Sequence, residues 1–419
     1  MAFISIGVTL LLTPFAFMYS LAGFIVFPSG WRKYFPFYII TISVLAYSYN
    51  PVGSPDLVRY FAMLDDCRSL SFKETINYFH DGLICNNFMF WFFGHLGDNN
   101  LLTCFSVTVV YSIATFITCD LAELNNETKS IPAVLLYQLL TLPFISIANN
   151  IRNVLAFSII VFAAYQEIVK KRRNLYILLL YLIPCFLHTS AVILVVFRLL
   201  IIVITPKNRT LALSIIFILP MLINLLYSNI GIVTGMSSIA RVIRSAIIKG
   251  YWYLNDKDTT EWARSVAQSG TSRATRFLLM VLVSMMIILI YNNTRKQLEL
   301  YECRNFNSYL LMISIMTLAC NIFTTPHYWR FAAACNIMSS TALIPALKEK
   351  KRKRGPTNIA LTVLFCGMFI SFMLYIRSSR YNTNYIDLFS GFLINNIYVV
   401  ICNVIKGIYN FNEYELIKL

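Results

Sequence analysis

The chain has 419 residues, of which 58% are hydrophobic and only 13% charged, with a formal net charge of +16 and a mean hydropathy of +0.65. So small a charged fraction excludes an ordinary soluble domain. The apolar bulk argues against nucleic acid as the reason for the basic balance, and basic loops lying against an anionic leaflet account for it instead.

A spanning helix needs about 20 apolar residues. Candidate segments in chain order are 3–27, 34–49, 101–121, 131–148, 154–169, 175–187, 190–204, 211–233, 277–291, 308–324, 331–347, 359–376 and 386–405. The first lacks a basic leader and a small-residue cleavage site, so it reads as a retained span. The run 175–204 is too long for one straight helix and carries Pro184 and His188 near its middle, which splits it into two short spans. Basic clusters stand at 31–33, 170–173, 206–209, 294–296 and 348–354. Alternating the spans puts all five on one side, the cytoplasmic one by the charge rule. The expectation is an all-α, polytopic integral membrane protein of about 11–14 transmembrane helices, forming a single membrane domain over 1–419.

Two large outer loops follow from that alternation. The loop at 50–100 holds an apolar, aromatic piece, 83–96, too short to span easily and read as an interfacial or re-entrant helix. The loop at 234–274 has apolar residues at helical spacing from Ile239 to Leu254, with Arg241, Arg244 and Lys249 on the other face. It reads as an amphipathic surface helix, either resting on headgroups or presenting cations to a phosphate-bearing substrate. Ten cysteines show no metal-type spacing. Seven lie inside spans; Cys67 and Cys85 share the first outer loop, where two free thiols are preferred over a disulfide.

The arginines Arg152, Arg241, Arg244, Arg264, Arg273, Arg330, Arg377 and Arg380 fall at the outer ends of the spans, against the charge bias. Guanidinium groups grip phosphate oxygens in a fork, and ionisable groups at membrane depth default to functional hypotheses. Arg152 starts a span in ANNIRN, the alternative being an arginine that snorkels to headgroups. In SPDLVRY, Asp56 and Arg59 stand at i, i+3. They either pair with each other or act as a general base and a phosphate ligand, with Tyr60 beside them. His188, in CFLHTSA, is either a base facing a cavity or a neutral residue bonded to a carbonyl freed by Pro184. In PHYWR, His327 can accept a proton and Arg330 can bind an anion; Tyr328 and Trp329 are an interface belt or a sugar platform. Arg377 and Arg380 lie one turn apart. No P-loop, G-x-S-x-G, H-E-x-x-H or D-x-D motif is present. This excludes ATP drive of the Walker type and argues against a metal-dependent nucleotide-sugar transferase.

Four of these segments carry a family resemblance: Asp56, Arg59 and Tyr60 in D-x-x-R-Y; Arg152, Leu155, Ala156 and Ser158 in R-x-x-L-A-x-S; the basic KKRR turn; and the F-L-H-T-S-A stretch from Phe186 to Ala191. In order and spacing they resemble the O-antigen, capsule and exopolysaccharide polymerases of the Wzy type, over about half the chain. The resemblance implies a GT-C-like membrane fold in a bacterial inner membrane, with a periplasmic site and no metal or other cofactor. It implies transfer of a glycan from undecaprenyl pyrophosphate to the next lipid-linked repeat unit. A flippase and a chain-length regulator of the same pathway would be its partners. In that role Arg152, Arg241, Arg244 and Arg330 hold pyrophosphate groups; Arg59, Tyr60, Arg377 and Arg380 contact the substrate; and His327, Asp56 or His188 is the base, in that order. Alternatives of other classes are a lipid-linked oligosaccharide flippase, an O-antigen ligase and a membrane O-acyltransferase.

Overall fold

The computed structural model describes residues 13–52, 56–79, 82–203, 209–228, 270–295, 301–323, 328–350, 355–379, 383–395 and 397–408. Among them the regular elements are helices: α1 (Thr13–Val26), α2 (Trp31–Tyr47), α3 (Asp56–Cys67), α4 (Phe72–Phe79), α5 (Ile84–His95), α6 (Asn100–Leu124), α7 (Ile131–Thr141), α8 (Phe144–Asn149), α9 (Ile151–Ile168), α10 (Leu175–Leu187), α11 (Ala191–Val203), α12 (Arg209–Ser228), α13 (Gly270–Arg295), α14 (Tyr301–Phe323), α15 (Tyr328–Ile337), α16 (Ser340–Lys350), α17 (Pro356–Ser379), α18 (Tyr385–Ile394) and α19 (Ile397–Ile408). One backbone bridge joins Pro51 to Thr383.

The all-helical, polytopic expectation is met. Among the described residues, five helices are long and apolar enough to cross a membrane, and up to seven if the bent pairs α1–α2 and α18–α19 each count once. The sequence reading reached a higher number because it counted the halves of α1–α2 separately, and counted as spans the shorter apolar helices α10, α11 and α12 and the broken segments 131–148 and 331–347.

Helix α9 is the axle. Its spanning window is 78% buried, whereas those of α13 and α17 are 28% buried and turn broad apolar faces outward. Ala156, Ser158, Ala163 and Ala164 on α9 are all fully buried. Small side chains there let α6, α10, α14 and α15 approach its backbone closely.

The run 175–204 does divide, and the chain reverses at the break. Tyr181 of α10 and Arg198 of α11 both bind one carboxylate, Glu167 of α9. The Tyr181 hydroxyl donates to Oε2 at 2.8 Å, and Arg198 donates from Nε at 2.8 Å and from Nη2 at 2.6 Å. In one straight helix residues 181 and 198 would stand about 25 Å apart, so α10 and α11 form a hairpin with His188 at its apex.

Two helices break inside the bundle and brace each other there. The first break is at Leu142–Pro143, between α7 and α8, where proline cannot continue the helix. The second is at Met338–Ser339, between α15 and α16. Carbonyls freed by a break have no water to turn to at this depth. Gln138 Nε2 donates to the carbonyls of Ile337 (3.1 Å) and Asn336 (3.3 Å), and Thr118 Oγ1 donates to Gln138 Oε1 at 2.9 Å. In return Asn336 Nδ2 donates to the Thr141 carbonyl at 2.9 Å. The Tyr111 hydroxyl reaches the Leu142 carbonyl at 2.5 Å.

Acidic residues at and just beyond the end of α6 gather three of the basic clusters at one end of the bundle. Arg32 meets Glu123 at 2.7 Å, Lys170 meets Asp120 at 2.6 Å, and Lys348 lies 3.7 Å from Glu127. The clusters at 31–33, 170–173 and 348–354 thus share a side, as the alternation required.

Replacing Gln138 by Leu removes the side-chain donor to the Ile337 carbonyl at the second break, while the Asn336 carbonyl keeps Ser339. The expected cost is about 1–3 kcal/mol, read as a lowered unfolding midpoint of the purified protein in detergent. An unchanged midpoint contradicts the brace.

Candidate arginine-centred site

The end opposite the basic clusters is built from segments far apart in the chain. Tyr49, just beyond α2, donates to Asn149 Oδ1 at 3.2 Å and lies 3.3 Å from Thr383 Oγ1. Helices α3, α4 and α5, from the first outer loop, cover this end. A capping box starts α4: the Ser71 N–H donates to Glu74 Oε2 at 2.7 Å, and the Glu74 N–H donates to Ser71 Oγ at 3.4 Å. These bonds from Ser71 hold the Glu74 carboxyl below its usual pKa.

Helices α3 and α5 pack closely because residue 94 is glycine. A Cβ at Gly94 would lie 2.8 Å from the Leu64 carbonyl oxygen and 3.3 Å from Cys67 Cβ. Cys67 and Cys85 are both free. Burial pushes the Cys67 thiol up to about 11 and raises that of Cys85. Both are therefore protonated near neutral pH, in keeping with the free-thiol reading.

The close approach of α3 and α5 delivers Tyr60 and Asn86 to one cation. Arg152, half-buried on the first turn of α9, donates from Nε to the Tyr60 hydroxyl at 3.3 Å and from Nη1 to Asn86 Oδ1 at 3.4 Å. Its guanidinium also stands over the Tyr60 ring, 5.1 Å from the centroid. Tyr60 is 4% exposed and packs edge-to-face on Phe90 at 5.7 Å. Both hydrogen-bond partners of Arg152 are neutral, and among the described residues no carboxylate pairs with it. No acidic residue lies in the first turn of α9 either. That turn is the positive end of the helix dipole, where carboxylates are the usual stabilisers. A cation there raises the local potential further and prepares the spot for an anion.

Other predicted residues gather at the same end. Arg59 is also over the Tyr60 ring, at 5.6 Å, and pairs with Asp56 at 2.9 Å while both stay exposed. The i, i+3 pairing is thus formed, on the helix that carries Tyr60. Arg330 is on the first turn of α15. The next residue, Phe331, stacks on Phe157 of α9 with centroids 5.3 Å apart, so the backbone of α15 starts beside the Arg152 end of α9. Arg377 is exposed near the end of α17, shortly before Thr383. Arg273 is exposed near the start of α13.

His188 lies at the break between α10 and α11. Its backbone N–H takes the Pro184 carbonyl at 2.9 Å. Its Nδ1 accepts from the Ser190 N–H at 3.2 Å and lies 2.6 Å from Ser190 Oγ. The imidazole thereby caps the start of α11, and Nδ1 is engaged rather than open to a substrate proton. His327, Arg241, Arg244, Arg264 and Arg380 lie outside the described residues, as does the amphipathic stretch of the second outer loop.

Sequence reasoning missed Asn86, whose trace is two adjacent asparagines inside an apolar run. It also missed the Glu167–Arg198 pair, signalled by a lone arginine in an otherwise apolar helix.

A family model described as the EpsG family matches residues 8–390. No curated protein and no solved structure matches the chain.

Replacing Gly94 by Val forces α3 and α5 apart. The expected loss is about 1–3 kcal/mol of stability, with Tyr60 drawn off Arg152. Unfolding in detergent checks the first effect. A Gly94→Val protein as stable as the parent contradicts the close approach described.

Proposed function

The chain belongs to the EpsG family, a Wzy-like, polymerase-type family with a membrane polysaccharide role, and on that premise we propose that it polymerises lipid-pyrophosphate-linked glycan repeat units. The acceptor is a sugar hydroxyl on one lipid-linked unit. The donor is a glycan on an undecaprenyl pyrophosphate carrier. A bond forms between the acceptor oxygen and the donor anomeric carbon. The bond from that carbon to the pyrophosphate oxygen breaks, the hydroxyl proton passes to a base, and the lipid pyrophosphate departs as the anion.

The observation that carries this reading is the state of Arg152. It is a half-buried cation at the positive end of a helix, held by Tyr60 and Asn86 and matched by no carboxylate among the described residues. Negative charge develops on the departing pyrophosphate, and fixed cations in a partly desolvated site stabilise it. Arg59 and Arg330 are the next cations along the same end, and arginines here take the part that a metal plays in other transferases. Of the candidate bases, His327 lies outside the described residues, Nδ1 of His188 is engaged by Ser190, and Asp56 sits one turn from Tyr60. Between the two described candidates, Asp56 is assigned the proton and Arg59 its orientation. The site faces the outer side of a bacterial cytoplasmic membrane, opposite the end where Arg32, Lys170 and Lys348 gather.

Arg152→Ala is expected to cut polymer formation about a hundredfold to a thousandfold, equivalent to roughly 3–4 kcal/mol in the transition state. Arg152→Lys keeps the charge but not the fork, so its loss is smaller. Polymer length and amount are read on gels from a null strain complemented at matched protein levels. A normal ladder from Arg152→Ala sinks the reading. Accumulation of single lipid-linked units on the inner face of the membrane would favour a flippase instead.

A further inference from the structure

Arg152 is held by one residue that no motif marked. Asn86 is fully buried, and its Oδ1 accepts from Arg152 Nη1 at 3.4 Å. Its own Nδ2 donates to Oδ1 of Asn87, which is also buried, at 3.3 Å. The side chain therefore presents oxygen to the arginine and nitrogen to its neighbour, and the amide is oriented by contacts on both ends. A buried amide is costly unless its groups are met. An apolar residue of the same size would fill the space without that cost, and an aspartate would pair with the guanidinium at the same distance. The site carries neither.

The difference is electrostatic. A carboxylate at this position would neutralise Arg152 from inside the protein, as Glu167 does for Arg198 and Asp120 for Lys170. A neutral acceptor fixes the direction of the guanidinium and leaves its charge outstanding. Tyr60 acts in the same way, through a hydroxyl and a ring face.

We infer that Asn86 is a positioning residue that aims Arg152 at a pyrophosphate anion while leaving its charge unspent. The inference rests on the anion-binding reading of Arg152 given above. Asn86 touches no substrate in this account; it acts through the arginine.

Asparagine, aspartate and leucine are close in size, which separates charge from packing. The full-length protein in detergent is titrated with inorganic pyrophosphate by calorimetry, and its melting temperature is recorded. Asn86→Asp is expected to weaken binding about tenfold or more, as one charged contact is withdrawn, with a melting temperature equal to or above that of the parent. Asn86→Leu keeps the charge but loosens the aim, and its loss is expected to be about threefold. Parent-like affinity in Asn86→Asp overturns the inference. So do equal losses in both variants that track a fall in melting temperature, since that is what a purely structural asparagine would give. Arg152→Ala is the separate control. If it weakens binding while Asn86→Asp does not, only the role of Asn86 falls. If Arg152→Ala binds as the parent does, the anion reading of the site falls, and this inference with it.

Discussion

A helix interrupted at membrane depth must have its freed backbone groups answered by protein, because lipid offers no hydrogen bonds. Much else here depends on how that is done. Gln138 and Asn336 answer it together, each donating to carbonyls at the break in the other's helix. The exchange ties α7 to α15 at the breaks. Beyond the first break lie α8 and then α9, whose first turn carries Arg152. The broken helix α15 starts at the same end with Arg330. One pair of side-chain amides therefore supports two of the short helices from which the site is built, although neither amide touches it.

Charge placement follows a second rule. Lys170 and Arg198, which lie largely inside the protein, each meet a carboxylate at 2.6 Å. Burying a charge without a partner is expensive, so such pairing is the ordinary solution and reads as structure. Arg152 departs from it. Its neighbours are a phenol and an amide, and it sits where the helix dipole already repels a cation. A bound anion would remove that cost. The departure is local and supported by close packing at Gly94, as expected of a site where function overrides the best packing of charge.

Much of this was legible in the sequence because it depends on periodicity and on residues that advertise themselves. The apolar runs, the reversal near Pro184 and His188, and the shared side of three basic clusters follow from length, proline and Lys/Arg bias. Tyr60, which shares a motif with Asp56 and Arg59, stands against Arg152 in the fold. What stayed hidden depends on contacts between distant segments. Asn86 lies 66 residues from Arg152 in a run that reads as plain aromatic apolarity. Gln138 lies 199 residues from Ile337, and nothing local in an apolar helix tells which carbonyls a glutamine will meet. His188 was noticed for the right reason, its place at a break. Its Nδ1 serves the break itself, accepting the Ser190 N–H beside the start of the next helix.

The central claim is that Arg152 marks the seat of a lipid pyrophosphate. The most direct measurement is an experimental structure of the full-length protein bound to a lipid pyrophosphate in a nanodisc. Phosphate oxygens are expected within hydrogen-bond distance of the Arg152 guanidinium, with Asn86 and Tyr60 still holding it. A pyrophosphate seated instead at the opposite end, among Arg32, Lys170 and Lys348, with Arg152 untouched, would contradict it.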